Sequence, residues 1–293
     1  MKIIFVGSVD FSDKLLLHLI SIGADIVGVC TRALESPKSD LADLSVTCEK
    51  YGIPWIYADD INSEFSKDWI KALEPDIIFC FGWPKLLKQQ LLEIPPAGVL
   101  GYHPTLLPLH RGRHPIIWAL ALGLNETGST FFFMDSGADS GEILSQKIIK
   151  IHFDDDANEL YEKLLNQAKI QISEFLPQLE SGDFVTHRQD ETQSSTWRKR
   201  GKEDGVIDWR MSKYSIYNLV RSLSKPYPGA SFFLGSTEVK IWKVKILEKE
   251  NMGQEPGKVL AMDGECPVIQ CSDGAICLLD FEPKLEIREG TYL

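Results

Sequence analysis

The sequence lacks the marks of several protein classes. Its six cysteines, Cys30, Cys48, Cys80, Cys266, Cys271 and Cys277, include no CxxC pair, so neither a zinc knuckle nor a disulfide framework is indicated. They read as small buried hydrophobes. No apolar run approaches the roughly 20 residues a membrane helix needs, and the opening Met-Lys-Ile-Ile-Phe-Val-Gly reads as a first strand, being too short and wrongly flanked for a signal peptide. A soluble, cytoplasmic protein with no membrane partner is expected. Positive charge is also scarce, with 31 Lys and Arg against 42 Asp and Glu and a formal net charge of -11. That balance argues against nucleic-acid binding by phosphate neutralisation, and Arg198-Lys199-Arg200 reads as a solvated linker. Only Gly7 stands where a dinucleotide fingerprint has three glycines, so no nicotinamide or flavin is specified.

The chain has 293 residues, 44% hydrophobic and 25% charged, enough for two domains with buried cores. Lys2 to Val6 is an apolar strand ending at Gly7-Ser8, and Leu15, Leu16, Leu19 and Ile20 follow at helical spacing. Further strands are expected at Ile26 to Cys30, Asp76 to Phe81, Val99 to Tyr102, Ser129 to Met134 and Ile143 to Ile151. Helices are expected at Asn62 to Leu73, Pro84 to Glu93, Pro115 to Leu122 and Ala157 to Leu179. The alternation implies an α/β fold with a doubly wound, mostly parallel sheet over residues 1–190. A polar linker over 191–204 and a small β-rich, OB-like unit over 205–293 complete the expected organisation, with a helix at Tyr214 to Leu223 and hairpin turns at Gly235-Ser236 and Asp273-Gly274.

Two segments hold the residue types that chemistry needs. In Gly98-Val-Leu-Gly101-Tyr102-His103-Pro-Thr-Leu-Leu-Pro108-Leu-His110-Arg111-Gly112-Arg113-His114, a histidine ends a buried strand, where open α/β sheets place their ligand crevice. Met134-Asp135-Ser136-Gly137-Ala138-Asp139-Ser-Gly141 is an acidic, glycine-bearing loop between two apolar strands. A carboxylate hydrogen-bonded to one ring nitrogen of His103 would orient the ring and keep a proton available for transfer.

In order and spacing, His103-Pro-Thr-Leu-Leu-Pro108, Arg111-Gly112-Arg113 and Asp135-Ser-Gly-Ala-Asp139-Ser-Gly141 resemble the hallmark of the folate-dependent formyltransferases. Gly205-Val-Ile-Asp208-Trp209, Asn218-Leu-Val-Arg221 and Pro226-Tyr-Pro-Gly-Ala230 look like the carboxyl-terminal part of the same family, closest to bacterial sugar N-formyltransferases that act on UDP-4-amino-4-deoxy-arabinose. The resemblance implies N10-formyltetrahydrofolate as co-substrate and no metal. It also implies a nucleotide-linked amino sugar as acceptor, a role in lipopolysaccharide or surface glycan synthesis, and a homodimer. It assigns catalysis to His103 and Asp139, and folate contacts to Lys85, Leu86, Leu87, Arg113, Asp135, Ser136, Gly137 and Ala138.

One family residue is absent. The catalytic asparagine two positions before the histidine is Gly101 here. Residues 101 and 103 of a strand share a face, so the amide would have lain beside the imidazole, and losing one oxyanion donor typically costs about 10²- to 10³-fold in kcat. Water, His110 or His114 are the candidate replacements, since Tyr102 points to the opposite face. Three readings stay open: an active sugar N-formyltransferase, a methionyl-tRNA formyltransferase, and a folate or nucleotide-sugar binding protein that has lost catalysis. Ser8 to Asp10 and the loop from Arg32 to residue 40 are candidates for nucleotide contacts. Trp209, Tyr227 and Trp242 are read as core rather than base-stacking residues.

Overall fold

A computed structural model describes residues 1–33, 41–248 and 253–293. These divide into two units, one of Met1–Pro115, Thr127–Ile149 and Glu162–Trp197, the other of Ile116–Glu126, Lys150–Tyr161 and Arg198–Leu293. The order of elements through the first unit and the segments inserted in it is β1 (Ile3–Val6), α1 (Asp10–Ser21), β2 (Ile26–Thr31), α2 (Ser45–Tyr51), β3 (Trp55–Tyr57), α3 (Glu64–Ala72), β4 (Ile77–Cys80), α4 (Gln89–Leu92), β5 (Val99–His103), β6 (Arg111–Gly112), α5 (Pro115–Ala121), β7 (Glu126–Phe133), β8 (Ile143–Lys150), α6 (Ala157–Ser181) and β9 (Thr196–Trp197).

Central strands of a parallel sheet are covered on both faces and so are apolar at every position rather than at alternate ones. β1 and β4 meet this, with all four residues of each buried. They lie at the middle of a seven-stranded sheet of order β3-β2-β1-β4-β5-β7-β8, in which β1 pairs in parallel with β2 and β4, and β4 with β5. β7 runs antiparallel to β5, setting Gly101 against Phe132 and His103 against Thr130. One face is covered by aromatic side chains. Phe131 meets Phe81 at 5.2 Å and Phe175 of α6 at 4.9 Å, both edge-on, and such pairs add about 0.5–1.5 kcal/mol each beyond area burial. On the other side Ile4, Val6, Ile78 and Val99 pack with Leu87, Leu91 and Met134.

The helix expected over Pro84 to Glu93 is reduced to α4. Asn62 explains the shortening: its carboxamide donates to the Leu86 carbonyl at 3.0 Å and accepts from the Lys88 amide at 2.7 Å, holding 84–88 open. α2 and β3 were not legible in the sequence, since neither shows a clean period. The loop from Arg32 falls largely on 34–40, outside the described residues.

The second unit contains α7 (Lys213–Ser222), β10 (Ala230–Leu234), β11 (Thr237–Leu247), β12 (Val259–Asp263), β13 (Cys266–Gln270) and β14 (Ala275–Glu282). The strands form an antiparallel sheet of order β10-β11-β14-β13-β12. Its core gathers Ile216, Leu219, Phe232, Ile241, Ile276 and Leu278 with Trp209, which meets Phe232 edge-on at 5.6 Å. Trp209 is therefore a core residue; Tyr227 packs on the same cluster, and Trp242 donates its indole N–H to Glu282 at 3.0 Å. Among the described residues no helix is long and apolar enough to cross a membrane.

Candidate active site

β5 ends at His103, and the chain then turns through a proline-bearing loop that buried polar groups hold in place. The Thr105 amide donates to the His103 carbonyl at 2.9 Å, Thr105 Oγ1 to the Leu109 carbonyl at 2.9 Å, and Gln146 Nε2 to the Leu107 carbonyl at 2.9 Å. Gly128 of β7 is required here, because a β-carbon on it would lie 2.5 Å from the Thr105 backbone. His103 is 5% exposed.

Both ring nitrogens of His103 face acceptors. Nε2 is 2.9 Å from the carbonyl oxygen of His110, and Nδ1 is 3.7 Å from Oδ2 of Asp139. A carbonyl only accepts, so Nε2 carries a proton. The hydrogen bond expected between Asp139 and His103 is not made: 3.7 Å is ion-pair range, and Asp139 Oδ2 instead accepts from the Gly112 amide at 3.0 Å. Asp139 adopts a φ of 57°, sparsely populated outside glycine.

What holds this turn lies far along the sequence. Gln189 Nε2 donates to the carbonyls of Asp139 at 2.8 Å and Gly141 at 2.7 Å, while its oxygen accepts from Arg111 Nε and Nη2. Arg111, 8% exposed, also forks onto Glu191 at 2.7 and 2.9 Å. The Glu191 hydrogen bond raises the guanidinium pKa above its ordinary value, and the same bond lowers the Glu191 carboxyl below its own. Gln189 and Glu191 fall in or beside the expected linker, where composition carried no signal of a role.

β6 and β9 pair in parallel, Arg111 with Thr196 and Gly112 with Trp197. The His110 ring stacks on Trp197 at 4.0 Å and 7° between planes, and its Nδ1 lies 3.3 Å from Ser195 Oγ. Burial, and then the nearby His103, lower the His110 pKa below its ordinary value.

The residues assigned to folate by resemblance fall into three places. Lys85 is exposed and donates Nζ to the Asp59 carbonyl at 2.6 Å, Leu86 is 64% exposed, and Leu87 is buried in the cluster that includes Met134. The amides of Lys85, Leu86 and Leu87 donate to no protein acceptor among the described residues. Asp135, Ser136, Gly137 and Ala138 form an exposed turn closed by Asp135 Oδ1, which accepts from the Gly137 amide at 2.9 Å and Ser140 Oγ at 2.7 Å. A cavity of about 550 Å³ opens beside this turn, against Met134, Asp135, Gly141 and Gln189. Arg113 is exposed, and its amide donates to the Trp197 carbonyl at 3.1 Å.

Gly101 is flanked tightly. A β-carbon there would meet Met134 Cγ at 2.9 Å and Phe132 Cζ at 3.1 Å, so apolar side chains stand where a residue-101 amide would project. Of the stand-ins, His110 offers its carbonyl to His103 rather than its ring, and His114 adopts a φ of 56°. Ser8 is buried. Among the described residues no group of three His, Cys, Asp or Glu side chains is placed to hold a metal ion.

Residues 1–176 match the family described as formyl transferase, and 199–288 its C-terminal domain. The chain is 33% identical over 303 residues to the methionyl-tRNA formyltransferase of Caldanaerobacter subterraneus subsp. tengcongensis, spanning 99% of this chain and 96% of that one. It is 34% identical over 281 residues to the methionyl-tRNA formyltransferase of Kosmotoga olearia, spanning 94% and 90%. In structure it is similar to an N-formyltransferase of Helicobacter canadensis solved with folinic acid and dTDP-3-aminofucose, with a TM-score of 0.73, 18% identity and coverage of 95% and 98%. It is also similar to the sugar 3N-formyl transferase WlaRD, with a TM-score of 0.68, 18% identity and coverage of 95% and 97%. The chain belongs to the formyl transferase family and is an enzyme that transfers formyl groups.

Proposed function

We propose that the enzyme moves the formyl group of N10-formyltetrahydrofolate to the amine of a nucleotide-linked amino sugar. The observation that carries the choice of acceptor is that seven cations of the C-terminal unit lie beside carboxylates. Arg198 pairs with Asp204, Lys202 and Lys240 with Glu238, Arg210 with Asp208, Lys213 with Glu248, Lys258 with Glu255 and Arg288 with Glu286. Cations already neutralised by neighbouring carboxylates release few counterions on meeting a phosphate backbone. A small anionic acceptor fits such a surface better than a transfer RNA.

The amides of Lys85, Leu86 and Leu87, which donate to no protein acceptor among the described residues, would serve the acceptor edge of a pterin ring, and the Asp135 turn borders the neighbouring cavity. The amine attacks the formyl carbon that the folate supplies, the bond from that carbon to N10 breaks as the tetrahedral intermediate collapses, and the proton the amine loses ends on N10 of the departing tetrahydrofolate. His103 serves the oxygen that becomes anionic as attack proceeds, and Asp139 stabilises positive charge on the ring across the 3.7 Å gap. A second reading, formylation of methionyl-tRNA, is favoured by the two curated relatives. Both are tested by incubating the purified protein with N10-formyltetrahydrofolate and either a panel of nucleotide-linked amino sugars or charged initiator tRNA, with formylation read by mass spectrometry. Turnover with an amino sugar alone supports the first reading; turnover with tRNA alone replaces it with the second.

A further inference from the structure

The segment that reads as a polar linker in the sequence, around residues 195–197, clamps the loop that carries the His103 contact. The Ser195 amide donates to the Pro108 carbonyl at 3.2 Å, the Arg111 amide to the Ser195 carbonyl at 2.9 Å, and the His110 amide to Ser195 Oγ at 2.9 Å. With the Trp197 stack on the His110 ring, these contacts hold His110 at a φ of 65°. A non-glycine residue in the left-handed region is disfavoured and persists only where its surroundings over-determine it. Here the result of that conformation is a carbonyl aimed at His103 Nε2.

We infer that Trp197 and Ser195 are positioning residues that fix the tautomer of neutral His103 through the His110 carbonyl, leaving Nδ1, on the Asp139 side, as the nitrogen that takes up the proton His103 then offers to the oxygen of the reacting group. The carbonyl accepts from Nε2–H and from nothing else on the ring, so the neutral imidazole has its lone pair on Nδ1. Without the clamp, the loop relaxes to an ordinary φ, the carbonyl turns away, and both tautomers become populated. The inference rests on His103 being the reacting residue, and its test is separable from that reading.

The tautomer is read directly from the imidazole nitrogen shifts of the full-length protein labelled with 15N-histidine, at a pH where His103 is neutral. In the unaltered protein His103 is expected as the Nε2–H form. Trp197→Ala and Ser195→Ala are each expected to introduce the Nδ1–H form and to lower kcat by about 10- to 100-fold, as small misplacements of reacting groups do, with KM for folate and amine unchanged. Trp197→Phe, which keeps a stacking ring, is expected to restore the single tautomer and most of kcat. A wild-type Nδ1–H signal overturns the inference. So does an unchanged tautomer in Ser195→Ala or Trp197→Ala. Full turnover by His103→Ala would instead overturn the catalytic reading of His103 while leaving the tautomer assignment standing.

Discussion

Met134 Cγ lies 2.9 Å from where a β-carbon on Gly101 would stand, closer than real β-carbons are found. Apolar neighbours occupy the place where a side chain at 101 would project. Gly101→Asn is therefore expected to destabilise the fold by about 1–3 kcal/mol, as overpacking does, and to give no gain in kcat. Adding Met134→Ala to Gly101→Asn should recover part of that stability. Urea unfolding of the two variants is the check, and a Gly101→Asn protein as stable as wild type would refute the steric account.

Asp139→Asn keeps an oxygen that can accept from the Gly112 amide but removes the charge 3.7 Å from His103 Nδ1. The melting temperature should hold while kcat falls roughly 10²-fold, the scale of a lost proton-transfer partner. A variant with wild-type kcat would detach Asp139 from the chemistry.

Arg111→Met leaves the Gln189 oxygen without its donors and releases the arm that ties Gln189 to the Asp139 turn. A loss of about 1–3 kcal/mol in unfolding free energy is expected for such an unpaired group. Arg111→Lys should not restore it, since an ammonium does not present the planar fork that serves Glu191 and Gln189 together.

Burial, with a further contribution from the charge of His103, lowers the His110 pKa. The unfolded chain then takes up the proton at higher pH than the folded one. The stability His110 contributes is complete above its unfolded pKa of about 6.5 and is lost as pH falls through the folded value. Across about pH 7 to 5, the urea midpoint of His110→Asn should fall less than that of wild type, asparagine being chosen because it tolerates the left-handed backbone.

Cys30, Cys48, Cys80, Cys271 and Cys277 are buried, and burial pushes the Cys48 and Cys80 thiols up to about 12. Only Cys266 is partly exposed. A thiol reagent applied briefly to the native protein near neutral pH should add one label, located at Cys266 by peptide mapping, because reaction needs both access and thiolate.

Some of this was legible because it is local. Runs such as Ile3 to Val6 and Ile77 to Cys80, apolar at every position, specify strands buried on both faces, and α6 follows from a long helical period. β3 is too short to show alternation, and α4 is cut back by Asn62, a residue 26 positions before Lys88. Propensity does not see a hydrogen bond from that distance.

The sequence by itself determined the α/β class, the placing of His103 at the end of a buried strand, the acidic loop at Asp139, the absence of asparagine at 101, and the family. Only the tertiary structure decided that Asp139 bonds the Gly112 amide rather than His103, that Met134 and Phe132 fill the space beside Gly101, and that a segment reading as linker pins the histidine loop through Ser195 and Trp197. The physical reason is range. Strand and helix patterns arise from neighbours along the chain. The state of a buried imidazole is set by whichever polar groups the fold brings within about 3 Å of it, and here one of those groups is held by residues 85 positions away.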